Sequence, residues 1–314
     1  MNSTGGSGVR DIAVICGPTA AGKSAIAMAL AARTGARLIS ADSRQVYRRF
    51  DIGTAKPSLA DRTTVPHCGI DQVDPVARYS AAQWCENALQ WITEADAATQ
   101  PVIVVGGTGF YLRALEEPLF ESPVLDAQDR ARVLAALEEL DTDALRTRCA
   151  SVDPARSHLG RTQLLRAVEM FELTGRPMST WLVERAREAV VRPHYLLVDP
   201  GSVLRERITD RVGQMLDAGW EDEVAMLARD VPADAPAWNA CGYAMLRAAQ
   251  DGTMTRQAAL ERTIIDTRQY AKRQRTWFRH QLPADRVTLL DPTAPDAGPR
   301  AAAWLETTSL SEHL

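Results

Sequence analysis

No two cysteines of this chain are spaced as a pair. The five that occur, Cys16, Cys68, Cys85, Cys149 and Cys241, are odd in number, scattered and without a C-x-x-C. That argues against a disulfide framework and a zinc module, and makes a reducing, cytoplasmic compartment the expectation. Long apolar runs are missing too. The opening residues read as a flexible leader, the apolar stretch behind them is too short for a signal peptide, and nothing later approaches membrane-span length. Nor is there an excess of positive charge: 36 basic residues stand against 40 acidic ones, a net charge of −4. The overall balance therefore gives no sign of a polyanionic partner, and any such surface has to be a local cluster. Internal repeats are absent, and low complexity is confined to the two ends. With 314 residues, one large α/β domain with an insertion or two domains are possible.

What is present begins at Gly17. The run Gly17-Pro18-Thr19-Ala20-Ala21-Gly22-Lys23-Ser24 is a complete G-x-x-x-x-G-K-[ST] loop, preceded by the apolar Ile12–Cys16 and followed by a helical pattern with Ile26 and Leu30 on one face and Gly35 as its stop. Strand before and helix after is the context in which this loop binds phosphates. The two glycines let the backbone curl so that successive N–H groups face one cavity; Lys23 supplies a point charge, and Ser24 can hold Mg²⁺ through its hydroxyl. The positive end of the helix points the same way. The chain is expected to grip a di- or triphosphate.

The first hundred residues alternate apolar strands (Ile12–Cys16, Arg37–Ser40, Val102–Val105) with helices, one of which opens with the capping box Ser80-x-x-Gln83. This rhythm predicts an α/β fold, a phosphate-loop type parallel sheet flanked by helices, with ligands at the carboxyl ends of the strands. Between about 119 and 190 strand signals vanish and amphipathic helices follow one another, including Asp126–Leu140, Thr142–Cys149 and Arg161–Thr174. An all-helical insertion is the simplest account. The expected organisation is a leader over 1–10, a core over 11–118 and 191–290, the insertion over 119–190, and a frayed Ala/Pro-rich tail over 291–314.

Three constellations carry chemistry. Asp42, just past the second strand, faces the ligand crevice either as a general base or metal partner, or simply as an Asx turn or N-cap. The strand Val102–Val105 ends in Gly106-Gly107-Thr108 and lacks the aspartate that a phosphate-loop kinase carries there. Arg207 and Arg211 sit one turn apart on a helix, where they either clamp a departing diphosphate or form a wet face with Glu206 and Asp210. On the helix after Thr255, Arg268, Lys272, Arg275 and Arg279 form a stripe with no acidic residue between Thr267 and His280. It is the one concentrated positive patch, suited to a nucleic-acid backbone.

With these motifs in view, the chain resembles the bacterial-type tRNA dimethylallyltransferase family from about Asp11 to His280. The blocks that carry the resemblance are the Gly17–Ser24 loop, Asp42-Ser43 with Tyr47, Asp51-Ile-Gly-Thr-Ala-Lys-Pro57, Gly106-Gly-Thr108, Thr174-Gly-Arg-Pro177, Gly219-Trp-Glu-Asp-Glu-Val224, and Thr267 to Gln274 with Trp277. The resemblance implies transfer of a dimethylallyl group from dimethylallyl diphosphate to the exocyclic amine of the adenosine 3′ of a tRNA anticodon. It implies that the loop holds the diphosphate with Mg²⁺, that Asp42 takes a proton from the amine, and that Arg211 steadies the leaving group, with Thr108 nearby. It assigns tRNA contacts to Asp42, Ser43, Arg44, Gln45, Thr108 and Arg130, and the clasp on the anticodon stem-loop to the insertion. Contacts at Thr162, Gln163 and Arg166 follow from it too, although the Ala155–Gln163 segment is shorter than the family's usual stretch. Arg268, Lys272 and Arg275 are the expected backbone contacts. A monomer is expected. The alternative is a phosphate-loop kinase of a nucleoside or small metabolite.

Overall fold

Why the site forms where it does follows from one parallel sheet. The computed structural model describes residues 9–117, 125–184 and 190–308; most of the leader, the joins to the insertion at 118–124 and 185–189, and residues 309–314 lie outside them. Two compact units form, Met1–Glu116 with Ala189–Leu314, and Glu117–Glu188.

In chain order the first unit contains β1 (Arg10–Cys16), α1 (Lys23–Thr34), β2 (Arg37–Ser40), α2 (Leu59–Thr64), β3 (His67–Cys68), α3 (Ala81–Ala97), β4 (Val102–Gly106) and α4 (Gly109–Glu116). The second unit supplies α5 (Ala127–Glu138), α6 (Thr142–Val152), α7 (Arg161–Thr174) and α8 (Met178–Glu184). The chain returns to the first unit with β5 (Val191–Val198), α9 (Leu204–Asp217), α10 (Trp220–Leu227), α11 (Tyr243–Gln250), α12 (Arg256–Gln281), β6 (Val287–Leu290) and α13 (Ala297–Thr307). The strands run parallel in the order β3-β2-β4-β1-β5-β6. This is the α/β sheet the alternating pattern predicts.

The middles of β1 and β4 are continuous apolar runs because both faces are covered; Ala13 through Cys16 and Val102 through Val104 are fully buried. Register then does the positioning. Cys16 pairs with Gly106 and with Leu197, and Ser40 pairs with Val105. The residues just beyond, Gly17, Ala41, Gly107 and Val198, therefore emerge along one edge.

One expectation is corrected, and one element went unread. Residues 297–307, read as part of a frayed tail, are helix α13: Ala301, Trp304 and Leu305 repeat at helical spacing and join the core cluster that contains Ala27, Leu30 and Ala31 of α1. The abundance of Ala and Pro masked that spacing. The edge strand β3 is only two residues long and left no periodic signal. In the second unit, Leu137, Leu145, Cys149, Leu164, Ala167 and Val168 form a core of their own. Among the described residues no helix is long and apolar enough to cross a membrane.

Candidate active site

The loop after β1 can be built only with glycine at its first position. Gly17 has φ 143°, and a Cβ there would lie 2.1 Å from the carbonyl oxygen of Val198. Gly22, at φ 96°, turns the chain into α1. Ala21 N–H closes the loop on the Pro18 carbonyl at 3.3 Å, and the Lys23 ammonium folds back to donate to the same oxygen at 2.7 Å. Lys23 is thus held over the cradle before any anion arrives.

Two helices brace this loop. From α9, Arg207 Nη1 donates to the Ala21 carbonyl at 3.3 Å. From α12, the Gln274 carboxamide accepts from Thr19 N–H at 2.8 Å and donates to the Gly107 carbonyl at 2.8 Å. Gln274 therefore ties the phosphate loop to the turn after β4. It stands among apolar residues on its helix face, between Ala271 and Phe278, and that polar intrusion was the one signal available in sequence. Arg207 is likewise more than a wet partner of Glu206 and Asp210.

The turn after β2 carries the carboxylate. Asp42 Oδ1 accepts from Arg44 N–H at 2.8 Å, an Asx turn that leaves the rest of the carboxylate free to face the crevice. Of the two sequence readings of Asp42, the Asx turn is present, and it leaves room for the other. Thr108 locks this turn from behind: its N–H donates to the Ala41 carbonyl at 3.1 Å, and its hydroxyl accepts from Ser43 N–H at 3.0 Å. The Tyr270 phenol lines the same cavity, and burial raises its pKa. Gln45 is used internally, accepting from the Ser40 hydroxyl at 2.9 Å and donating to the Thr54 and Ala55 carbonyls.

These elements enclose a cavity of about 460 Å³. Thr19, Lys23, Ser24, Asp42, Arg44, Gln45, Arg211, Tyr270 and Gln274 give it a polar side, while Ile208, Val212, Met215 and Trp220 give it an apolar one. Thr108 and Ser43 sit just off this lining. Lys23 is lowered to about 8, chiefly by burial, then by the Arg211 charge, with Asp42 opposing. Burial also lowers Arg211, again opposed by Asp42. Buried cations this close together are suited to an anion of two or more charges.

A divalent cation fits this donor set in one way. Ser24 is exposed in the first turn of α1 and lines the cavity. Mg²⁺ needs no protein cage, because it is commonly held by one or two side chains, water and the substrate's own phosphates. The described residues contain no cluster of three His, Cys, Asp or Glu side chains able to hold a metal.

The expected tRNA contacts outside this cavity divide into two groups. In the second unit, Arg130 donates to Glu169 Oε1 at 2.6 Å and Arg166 to Oε2 at 2.5 Å, so one buried carboxylate orders both guanidiniums. Thr162 and Gln163 are exposed at the start of α7. On α12 the stripe is less free than its sequence implies. Arg275 pairs with Asp199 and donates to the Gly201 carbonyl at 2.5 Å, and Arg268 donates to Thr209 Oγ1 at 2.9 Å. The expectation of an uncompensated cluster is corrected: the acid that neutralises Arg275 lies 76 residues away in sequence. Lys272, Arg273 and Arg279 remain exposed.

A parallel sheet of this order, with a phosphate loop after β1 and cations converging on it, defines a phosphate-loop α/β protein whose cavity has a cationic side and an apolar side. The chain belongs to the IPP transferase family, whose model matches residues 45–281. It is similar to the tRNA dimethylallyltransferase of Myxococcus xanthus (strain DK1622), 40% identical over 276 residues, covering 86% of this chain and 90% of that protein. The tRNA dimethylallyltransferase of Burkholderia cenocepacia (strain HI2424) is 40% identical over 318 residues, covering 98% and 97%. Among solved structures, the tRNA isopentenylpyrophosphate transferase of Bacillus halodurans matches with a TM-score of 0.68 and 30% identity, covering 98% of each chain. A eukaryotic dimethylallyltransferase described as acting on tRNA matches with a TM-score of 0.74 and 26% identity, covering 96% of this chain and 77% of the other.

Proposed function

We propose that this protein is a tRNA dimethylallyltransferase: it moves the dimethylallyl group of dimethylallyl diphosphate to the exocyclic amine of the adenosine 3′ of the anticodon. One observation carries the reading. An anion cradle with Lys23 and Arg211, an apolar wall and the Asp42 carboxylate all line the same cavity.

The chemistry needs those three things together. An aromatic amine is a weak nucleophile, whereas an allylic diphosphate ionises readily once its departing charge is neutralised. In the proposed step the amine nitrogen bonds to the allylic carbon, the carbon–oxygen bond to diphosphate breaks, and the amine proton goes to Asp42. Loop N–H groups, Lys23 and Arg211 receive the charge that develops on the diphosphate. Arg207 and Gln274 keep the loop in shape. Mg²⁺, held by Ser24 and the phosphate oxygens, would supply further charge neutralisation. The adenosine has to leave its stack to reach Asp42, at a cost of about a few kcal/mol. Arg44, Thr108 and Ser43 beside Asp42, and Arg130, Thr162, Gln163 and Arg166 in the insertion, are the proposed tRNA contacts, with the exposed Lys272 of the α12 stripe. The reading takes the enzyme to be a monomer, and a tRNA substrate supports a cytoplasmic one.

Incubation with labelled dimethylallyl diphosphate and an anticodon stem-loop tests the reading. Nucleoside mass analysis should find a prenylated adenosine with one pyrophosphate released per transfer. Phosphate transfer from ATP to a small acceptor, with no prenylated nucleoside, would overturn it in favour of the kinase.

A further inference from the structure

The loop Asp51–Pro57 has no sheet partner, yet it walls two cavities. Ala55, Lys56 and Pro57 line both the 460 Å³ cavity and a neighbouring one of about 700 Å³, and the two also share Ser24, Arg211 and Met215. A loop in that position needs an anchor if it is to present a fixed surface.

The anchor is a buried carboxylate. Glu223, in the first turn of α10, is 7% exposed. Its Oε2 accepts from Asp51 N–H at 3.0 Å and from Ile52 N–H at 2.8 Å. Its Oε1 accepts the Tyr243 hydroxyl at 2.5 Å, and the phenol oxygen in turn accepts Gly53 N–H at 3.0 Å. Three consecutive backbone donors thus end, directly or through one phenol, on a single charge. Trp220 seals the arrangement: a Cβ on Gly53 would lie 2.2 Å from its indole nitrogen. At the loop's far end Lys56 is buried and donates to Asp51, Asp71 and the Tyr47 carbonyl. A buried carboxylate is tolerated only when its lone pairs are filled, and here every bond that fills them reaches this loop.

We propose that Glu223 is a positioning residue for the prenyl donor. Through the Asp51–Gly53 amides and Tyr243 it fixes the Ala55–Pro57 wall, against which the isoprenoid tail packs, and so sets affinity for the tail and not for the diphosphate. The proposal rests on the functional reading above. Arg211 and the phosphate loop hold the anion independently of Glu223.

Two full-length variants test it. Glu223→Gln keeps the shape and removes the charge; Tyr243→Phe keeps the carboxylate and orphans the Gly53 amide. Dissociation constants for dimethylallyl diphosphate and inorganic pyrophosphate are measured by calorimetry, alongside kcat and KM with a stem-loop. For Glu223→Gln the prenyl diphosphate Kd and KM should rise about tenfold, with pyrophosphate Kd and kcat within about threefold of wild type. Tyr243→Phe should shift the same quantities in the same direction by less. Equal loss of both ligands, a fall in kcat at unchanged donor affinity, or wild-type values in both variants would overturn the proposal. So would a wild-type protein that binds prenyl diphosphate no better than pyrophosphate. If Glu223→Gln fails to fold, Tyr243→Phe decides. If wild type binds both ligands but prenylates no adenosine, the functional reading fails, while the ratio of the two constants still judges the loop.

Discussion

At the residue scale, the roles of Asp42 and Lys23 can be probed separately. Thr108 holds the turn through the Ala41 carbonyl and the Ser43 N–H, so removing the Asp42 carboxylate costs the turn only its bond to the Arg44 N–H. Asp42→Ala should lower turnover by about 10²- to 10⁴-fold, as loss of a general base does, with tRNA affinity within about threefold. Gel-shift and single-turnover measurements on the same preparation check this, and a parallel collapse of tRNA affinity would remove Asp42 from the role of base. Lys23 is lowered to about 8 by burial and by Arg211, so in the free enzyme its ammonium is present below that pH and lost above it. Because kcat/KM reports the free enzyme, its profile for the donor should fall on the alkaline side with an apparent pKa near 8. A bound diphosphate favours the charged form, so the kcat profile should fall at higher pH. Coincident profiles would mean that Lys23 does not meet the phosphates.

At the scale of elements, α12 is more a strut than a basic surface. Its Gln274 joins the phosphate loop to the turn after β4 across 255 and 167 residues of sequence. Gln274→Ala leaves two backbone groups without their partner and should weaken pyrophosphate binding about tenfold, read by calorimetry, with a smaller effect on tRNA affinity. The phosphate loop, the strands β1, β2 and β4, and the helices opened by Ser80 and closed by Gly175 were legible in sequence because their signals are local: glycine spacing, caps and periodicity. Gln274, the Arg275–Asp199 pair and the Glu223 anchor were not, because each is defined by a partner that only the fold brings near. Charge reversal at Lys272 and Arg279, which are exposed, should weaken stem-loop binding and flatten its salt dependence by about one unit of slope per lost phosphate contact. An unchanged slope would make them ordinary surface charges.

At the scale of the whole molecule, the parallel sheet gathers the ends of β1, β2, β4 and β5 along one edge, and the function depends on that convergence more than on any single motif. The core is completed by α13, whose Trp304 is 7% exposed. Trp304→Ala should cost about 3–5 kcal/mol of stability, seen as a lower unfolding midpoint, while the folded fraction keeps normal kcat. A variant of full stability would mean that α13 does not dock as described. The central claim, that diphosphate and carboxylate share one cavity, is tested most directly by a crystal structure with a non-hydrolysable analogue of dimethylallyl diphosphate. The account expects the diphosphate within hydrogen-bond reach of the Gly17–Ser24 amides, Lys23 and Arg211, with the allylic carbon turned toward Asp42. A diphosphate bound anywhere else, or an allylic carbon facing away from Asp42, would contradict it.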